Sequence, residues 1–209
     1  MVNSVQDTED RQHHLALEDN LTRAHDILER FDPKLPIEAS VTPPFEWYTD
    51  PDFYQLEMER VFQKSWIPIG RLDQVEGPGS YFTGDVAGNP VVVARDKSGT
   101  LRAHHNVCRH KAAIVASQED DTQHRCEFFQ CPYHGWEYHL DGRLKKAPML
   151  GPQENFDPQE NGLASMSVDT WGPAVFVDLH SPDRSSTPRS LSDDVKDING
   201  PLELSLIHI

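Results

Sequence analysis

Four side chains in this 209-residue sequence have the types and spacing to hold a redox-active metal. They lie in two short segments, Cys108-Arg109-His110 and Cys131-Pro132-Tyr133-His134, which read C-x-H, twenty intervening residues, then C-x-x-H. Thiolate sulfur and neutral imidazole nitrogen suit zinc, or an iron–sulfur centre with mixed ligation. The pairing separates the two. Zinc fingers usually group Cys with Cys and His with His, whereas here each arm carries one of each. Each loop can then give its Cys to one iron and its His to the other iron of a [2Fe–2S] centre. A structural zinc site, or cysteines that only fill a core, are the competing readings.

The neighbours of these residues fit a cluster. Gly135, directly after His134, is expected to let backbone N–H groups approach bridging sulfides, and Pro132 stiffens the second loop without offering an N–H. Both loops follow predicted strand ends, at 104–107 and 128–130. The third cysteine, Cys126, has no partner and reads as a structural thiol. His104, His105, His124 and His139 read as strand or loop residues rather than ligands. Arg109 and Lys111 flank the site and either screen its charge, meet a partner or are simply solvated. Trp136 and Tyr133 are expected to pack around it.

The elements that must position the loops can be read from periodicity. Leu21, Ala24, Leu28 and Phe31 recur at helical spacing within 18–31, and Pro33 and Pro36 end that helix. A second helix is capped by Thr49 or Asp50, takes Pro51 in its first turn and has Phe53, Leu56, Val61 and Phe62 as its apolar stripe. Short strands are predicted at 80–86, 90–95, 101–106, 128–130, 136–139, 143–145 and 171–179. Turns fall at Gly88-Asn89, Asp96–Gly99 and Asp141-Gly142. The expected organisation is a tail, helices and Pro-rich arm over 1–63 and a small all-β domain over 64–180. A polar linker or the start of a further domain follows over 181–203, then a short apolar tail over 204–209.

Composition narrows the function. Apolar residues make up 37% of the chain, enough for a core, and 19 basic against 34 acidic residues give a net charge of −15. A nucleic-acid binder needs a concentrated basic face, so that class is excluded, and no membrane association is expected either. No run approaches the ~18 apolar residues of a spanning helix, and residues 1–14 lack the order of a secretory signal. An odd count of three cysteines fits a reducing compartment, so the expected location is the cytoplasm.

The stretches NVCRHKAAI and CPYHGWEYHLDGRL resemble the two cluster loops of Rieske non-haem iron oxygenase large subunits, the ring-hydroxylating oxygenases. DPDFYQLEMERVFQKSWIPIGR resembles the segment that precedes their Rieske domain, and GLASMSVDTWGPAVFVDL the strand pair that closes it. YFTGDVAG and HHNVCRHKA resemble the choline monooxygenase-like branch. The resemblance implies a mainly β fold, a Rieske [2Fe–2S] antiparallel β-sandwich with an N-terminal helical extension. It implies Cys108, His110, Cys131 and His134 as ligands and a ferredoxin or flavin reductase as electron donor. It also implies a homotrimer at full length, in which single electrons pass to a mononuclear iron. A free-standing Rieske ferredoxin is the alternative, disfavoured by the long N-terminal arm.

Two departures matter. Many members of the family have Arg-Gly after the first ligand His, where this chain has Lys111-Ala112, and the alanine is expected to need only an ordinary backbone conformation. An acidic insertion at 118–121 reads as a surface loop. Respiratory Rieske proteins, by contrast, carry a disulfide and a serine beside the cluster. Here the corresponding positions are Ala113, Tyr133 and Trp136, which predicts a low potential, roughly −150 mV. The D-x-x-H-x4-H segment that marks the family's mononuclear iron site does not occur in this sequence. The last six residues, LSLIHI, can be encoded by a common sequencing-adapter end and are expected to be non-native.

Overall fold

The computed structural model describes residues 22–117, 124–148, 150, 156–179 and 190–194. The acidic insertion, the residues before 22, most of the expected linker and the tail at 204–209 lie outside the described residues. Two compact units divide between Gln63 and Lys64.

In the first unit, helix α1 is described over 22–29. Its buried stripe is Ala24 and Ile27, while Leu28 is 42% exposed, so the expected stripe is rotated by one residue. Phe31 continues the face and meets Trp47 edge-on at 5.2 Å, and Trp47 stacks on Phe53 at 5.1 Å. Helix α2, Pro51–Arg60, begins with Pro51 at its first position and Asp50 as its cap. The Asp50 carboxylate accepts from the N–H groups of Asp52 and Phe53 at 3.0 and 3.2 Å, satisfying two of the orphan donors of the first turn. Phe53 and Leu56 are buried as expected, but Val61 is half exposed because the helix has ended before it.

The second unit holds a curled antiparallel sheet of seven strands, in the order β1-β10-β9-β4-β3-β2-β5. These are β1 Trp66–Arg71, β2 Ser80–Val86, β3 Asn89–Arg95, β4 Leu101–His105, β5 His124–Arg125, β9 Ser165–Trp171 and β10 Ala174–Asp178. β1 was not foreseen, because Pro68 and Gly70 interrupt its pattern. Pro68 is tolerated since β1 is an edge strand, and the register with β10 shifts between Pro68 and Gly70. The strand read over 171–179 is β10, shortened at its start because Trp171 ends β9 and the chain turns at Gly172; β9 and β10 form the strand pair that the resemblance implies. Curling brings β1 against β2, five places away in the order: a methyl on Gly70 would stand 2.6 Å from the Phe82 ring, and one on Gly84 3.0 Å from Ile69.

Strand β3 is buried on both faces. Val91 and Val93 enter the core inside the curl, with Phe82, Val175 and Val177. Val92 and Ala94 point the other way, into a second core with Phe129, Trp136, Tyr138 and Leu140. This is the period of two read as packing. The second core lies under a small sheet of β6 Phe129–Gln130, β7 Glu137–Tyr138 and β8 Leu144–Lys146, in the order β6-β7-β8.

His104, on β4, ties the two sheets together. It is 1% exposed, and its Nε2 lies 3.1 Å from the Leu140 carbonyl, so that nitrogen carries the proton. Its Nδ1 then accepts from the Ser165 hydroxyl at 3.2 Å. Gly142 must be glycine for two reasons: its φ is +88°, and a methyl there would lie 2.6 Å from the His104 ring. Burial pushes the His104 pKa down from 6.5 to about 4. The unfolded chain therefore binds a proton that the folded chain refuses. The stability contributed is complete above pH 6.5 and is lost as pH falls through about 4, by about 3 kcal/mol in total. Urea unfolding at a series of pH values is expected to show this slope, and His104→Gln is expected to flatten it; an unchanged slope would refute the assignment.

Candidate metal centre

The two predicted segments form two loops on neighbouring elements. Loop 1 follows β4 and is closed by the Val107–Ile114 bridge, and loop 2 joins β6 to β7. They share one backbone frame. The Cys108 N–H donates to the Ala113 carbonyl at 2.8 Å, and the Ala112 N–H to the Cys108 carbonyl at 3.0 Å. In loop 2 the Cys131 N–H donates to the Trp136 carbonyl at 2.8 Å, and the Gly135 N–H to the Cys131 carbonyl at 3.0 Å. The residue four after each cysteine is left-handed, Ala112 at φ +55° and Gly135 at φ +70°.

This frame corrects one expectation: Ala112 does not take an ordinary conformation but holds the left-handed turn that glycine supplies in loop 2. Gly135 supplies that turn in loop 2, with its own N–H bonded to the Cys131 carbonyl.

The structure sets the two predicted histidines against each other and buries both predicted cysteines in one core. Cys108 and Cys131 are 3% and 2% exposed. The His110 and His134 rings are 4.6 Å apart with planes at 68°. Both Nδ1 atoms are buried and have no hydrogen-bond partner among the described residues. Two buried thiols beside two buried, unpaired ring nitrogens form a donor set that fits two irons with two protein ligands each. Burial, then His134 and Lys111, lower the His110 pKa, which favours the neutral imidazole a metal needs.

Loop 1 is anchored from outside. Asn106, 3% exposed, accepts from the Val115 and Ala116 N–H groups and donates to the Ala116 carbonyl at 2.7 Å. Tyr138, fully buried on β7, accepts from the Arg109 N–H at 3.1 Å and lies 3.1 Å from Cys108 Sγ. Against a Cys108 thiolate, which has no proton to give, the Tyr138 hydroxyl would be the donor. Burial, with the Cys108 bond next, pushes the Tyr138 pKa well up, so it stays a donor. Sequence reasoning missed Tyr138 and Asn106. The signal for Tyr138 was its position two residues after Trp136, on the same face of a strand.

The remaining residues take lesser places. Cys126 is half buried, and burial pushes its thiol up to about 11, so it stays protonated and inert. Arg109 and Lys111 are exposed and line an open depression of about 460 Å³ beside His110. Tyr133 is 65% exposed against His134.

A left-handed non-glycine residue costs roughly 1–2 kcal/mol. Ala112→Gly is therefore expected to stabilise the protein by about 1 kcal/mol in denaturant unfolding, less any entropy the added glycine gives the unfolded chain. A loss of stability would show that the turn is not strained.

Residues 65–159 match the Rieske [2Fe-2S] domain family. The chloroplastic choline monooxygenase of Spinacia oleracea is 45% identical over 153 residues, 73% of this chain and 34% of that protein. The glycine betaine monooxygenase oxygenase subunit of Chromohalobacter salexigens is 35% identical over 165 residues, 78% of this chain and 36% of that protein. Among solved structures, the apo form of the quaternary ammonium Rieske monooxygenase CntA aligns with a TM-score of 0.67 at 28% identity, over 80% of this chain and 48% of that one. Naphthalene 1,2-dioxygenase from Rhodococcus sp. aligns with a TM-score of 0.66 at 25% identity, over 86% and 38%. The chain spans about a third of the length of these curated relatives. Residues 65–159 are a Rieske [2Fe–2S] domain, and over about three quarters of its length the chain is homologous to choline and glycine betaine monooxygenase oxygenase subunits.

Proposed function

We propose that Cys108, His110, Cys131 and His134 ligate a Rieske [2Fe–2S] cluster, with both thiolates on one iron and both imidazole Nδ1 atoms on the other. The observation that carries this is the pair of buried Nδ1 atoms left without a partner beside two buried thiols. Left unpaired, such groups cost stability; bound to metal, they are satisfied. When bound, the cluster accepts and releases one electron at a time.

The chain is then the electron-relay part of an oxygenase α subunit. It takes electrons from a ferredoxin or flavin reductase and delivers them to a mononuclear iron held outside this sequence, in a homotrimer. The names of the similar proteins, choline and glycine betaine monooxygenase and a quaternary ammonium monooxygenase, favour a quaternary ammonium substrate for the whole protein. The three unpaired cysteines suit a reducing compartment, and we place the protein in the cytoplasm.

The chain's own residues prepare the site. Burial, then His134 and Lys111, lower the His110 pKa, Tyr138 bonds Cys108, and the matched backbone frames fix both loops before metal arrives. The purified protein is expected to be red-brown, to contain two irons and two sulfides per chain, and to give a low-g EPR signal on reduction. A colourless zinc protein would overturn the proposal.

The Tyr138 bond also adjusts the expected potential. A donor to cysteine sulfur stabilises the more electron-rich reduced state, so it raises the potential above the floor set by the missing disulfide and serine. Voltammetry is expected to give a value below about +100 mV, and Tyr138→Phe is expected to lower it by roughly 50 mV. A rise, or no change, would show that the hydroxyl does not act on the sulfur.

A further inference from the structure

Trp136 belongs to one loop by its backbone and to the other by its ring. Its carbonyl accepts the Cys131 N–H at 2.8 Å and so closes loop 2. Its indole, 4% exposed, lies parallel to the His110 imidazole of loop 1, with planes at 4° and centroids 5.0 Å apart. Phe156 backs the indole edge-on at 5.8 Å. His134 has no such support: its nearest aromatic neighbour is Tyr133, tilted by 35° and 65% exposed.

A metal-bound histidine is normally oriented by a hydrogen bond from its second nitrogen to a carboxylate or carbonyl. Among the described residues, neither nitrogen of His110 makes one. A flat, buried aromatic face can do the same work, because turning the imidazole would break the stack.

We propose that Trp136 is the positioning residue for His110. It sets the plane in which Nδ1 meets the iron, and so makes the two histidine ligands inequivalent, one clamped and one open. The proposal rests on the cluster assignment above. Its geometric content is that the second loop orients the ligand of the first.

The test uses the full chain loaded with [2Fe–2S], as wild type, Trp136→Phe and Trp136→Leu, each checked for fold and iron content. Pulsed EPR of the reduced cluster resolves the nitrogen couplings of the two histidines. The flat ring of Trp136→Phe is expected to preserve both couplings. Trp136→Leu keeps apolar bulk without a flat face; it is expected to change the g values and one nitrogen coupling while leaving the other in place. Cluster loss to a chelator is expected to quicken roughly tenfold in Trp136→Leu and little in Trp136→Phe. A loaded Trp136→Leu protein with both couplings and all g values unchanged would overturn the proposal.

If Trp136→Leu does not fold or load, the wild-type apoprotein decides. The His110 ring protons are then expected upfield, under the indole ring current, and finding them at free-histidine positions would defeat the idea. A wild-type protein that gives no low-g signal would instead refute the cluster assignment itself.

Discussion

Two thiols and two imidazole nitrogens are buried here with almost nothing of the protein's own to bond, and the rest of the domain is arranged around that. An unpaired polar atom in an interior costs about 1–3 kcal/mol, so a fold that gathers four donors at one place carries a built-in debit. The surrounding structure offsets it. Tyr138 bonds Cys108, Asn106 fastens the far side of loop 1, and the backbone of each loop closes on its own cysteine. What remains unpaired among the described residues is Nδ1 of His110 and of His134, the positions the proposed cluster would occupy.

The candidate donor set could be read from the sequence because it depends on residue type and spacing alone. The helix cap at Asp50, the strand at Ser80–Val86 and the glycine turn at 142 were legible for similar local reasons: a carboxylate before Pro51, alternation, and an Asp-Gly pair. Strand β1 was not, because its edge position lets Pro68 and Gly70 sit where an inner strand would exclude them. The rotation of the α1 stripe from Leu28 to Ile27 was hidden too, since leucine and isoleucine are equally apolar and only packing chooses between them.

Ala112 shows the limit most clearly. Alanine in a sequence reads as an ordinary residue, and here it is held in a conformation that alanine avoids. The reason is visible only when the two loops are compared: both need the same reversal four residues after the cysteine, and loop 2 has glycine there. Likewise Trp136 and Tyr138 look like two aromatic residues in a strand. Their shared face, reaching back to His110 and Cys108, exists only in three dimensions.

Strand β3 gives the domain its unity. Its alternate residues are shared between the core inside the curled sheet and the core beneath the metal loops. A slip of one residue would exchange the two sets, so the pairing is pinned from both sides. The small three-stranded lobe has no floor of its own; it borrows Val92 and Ala94 from the larger sheet. It is therefore not a portable module. The metal-bearing loops and the curled sheet are expected to melt as one cooperative unit, with the loss of either core exposing a face of the same strand.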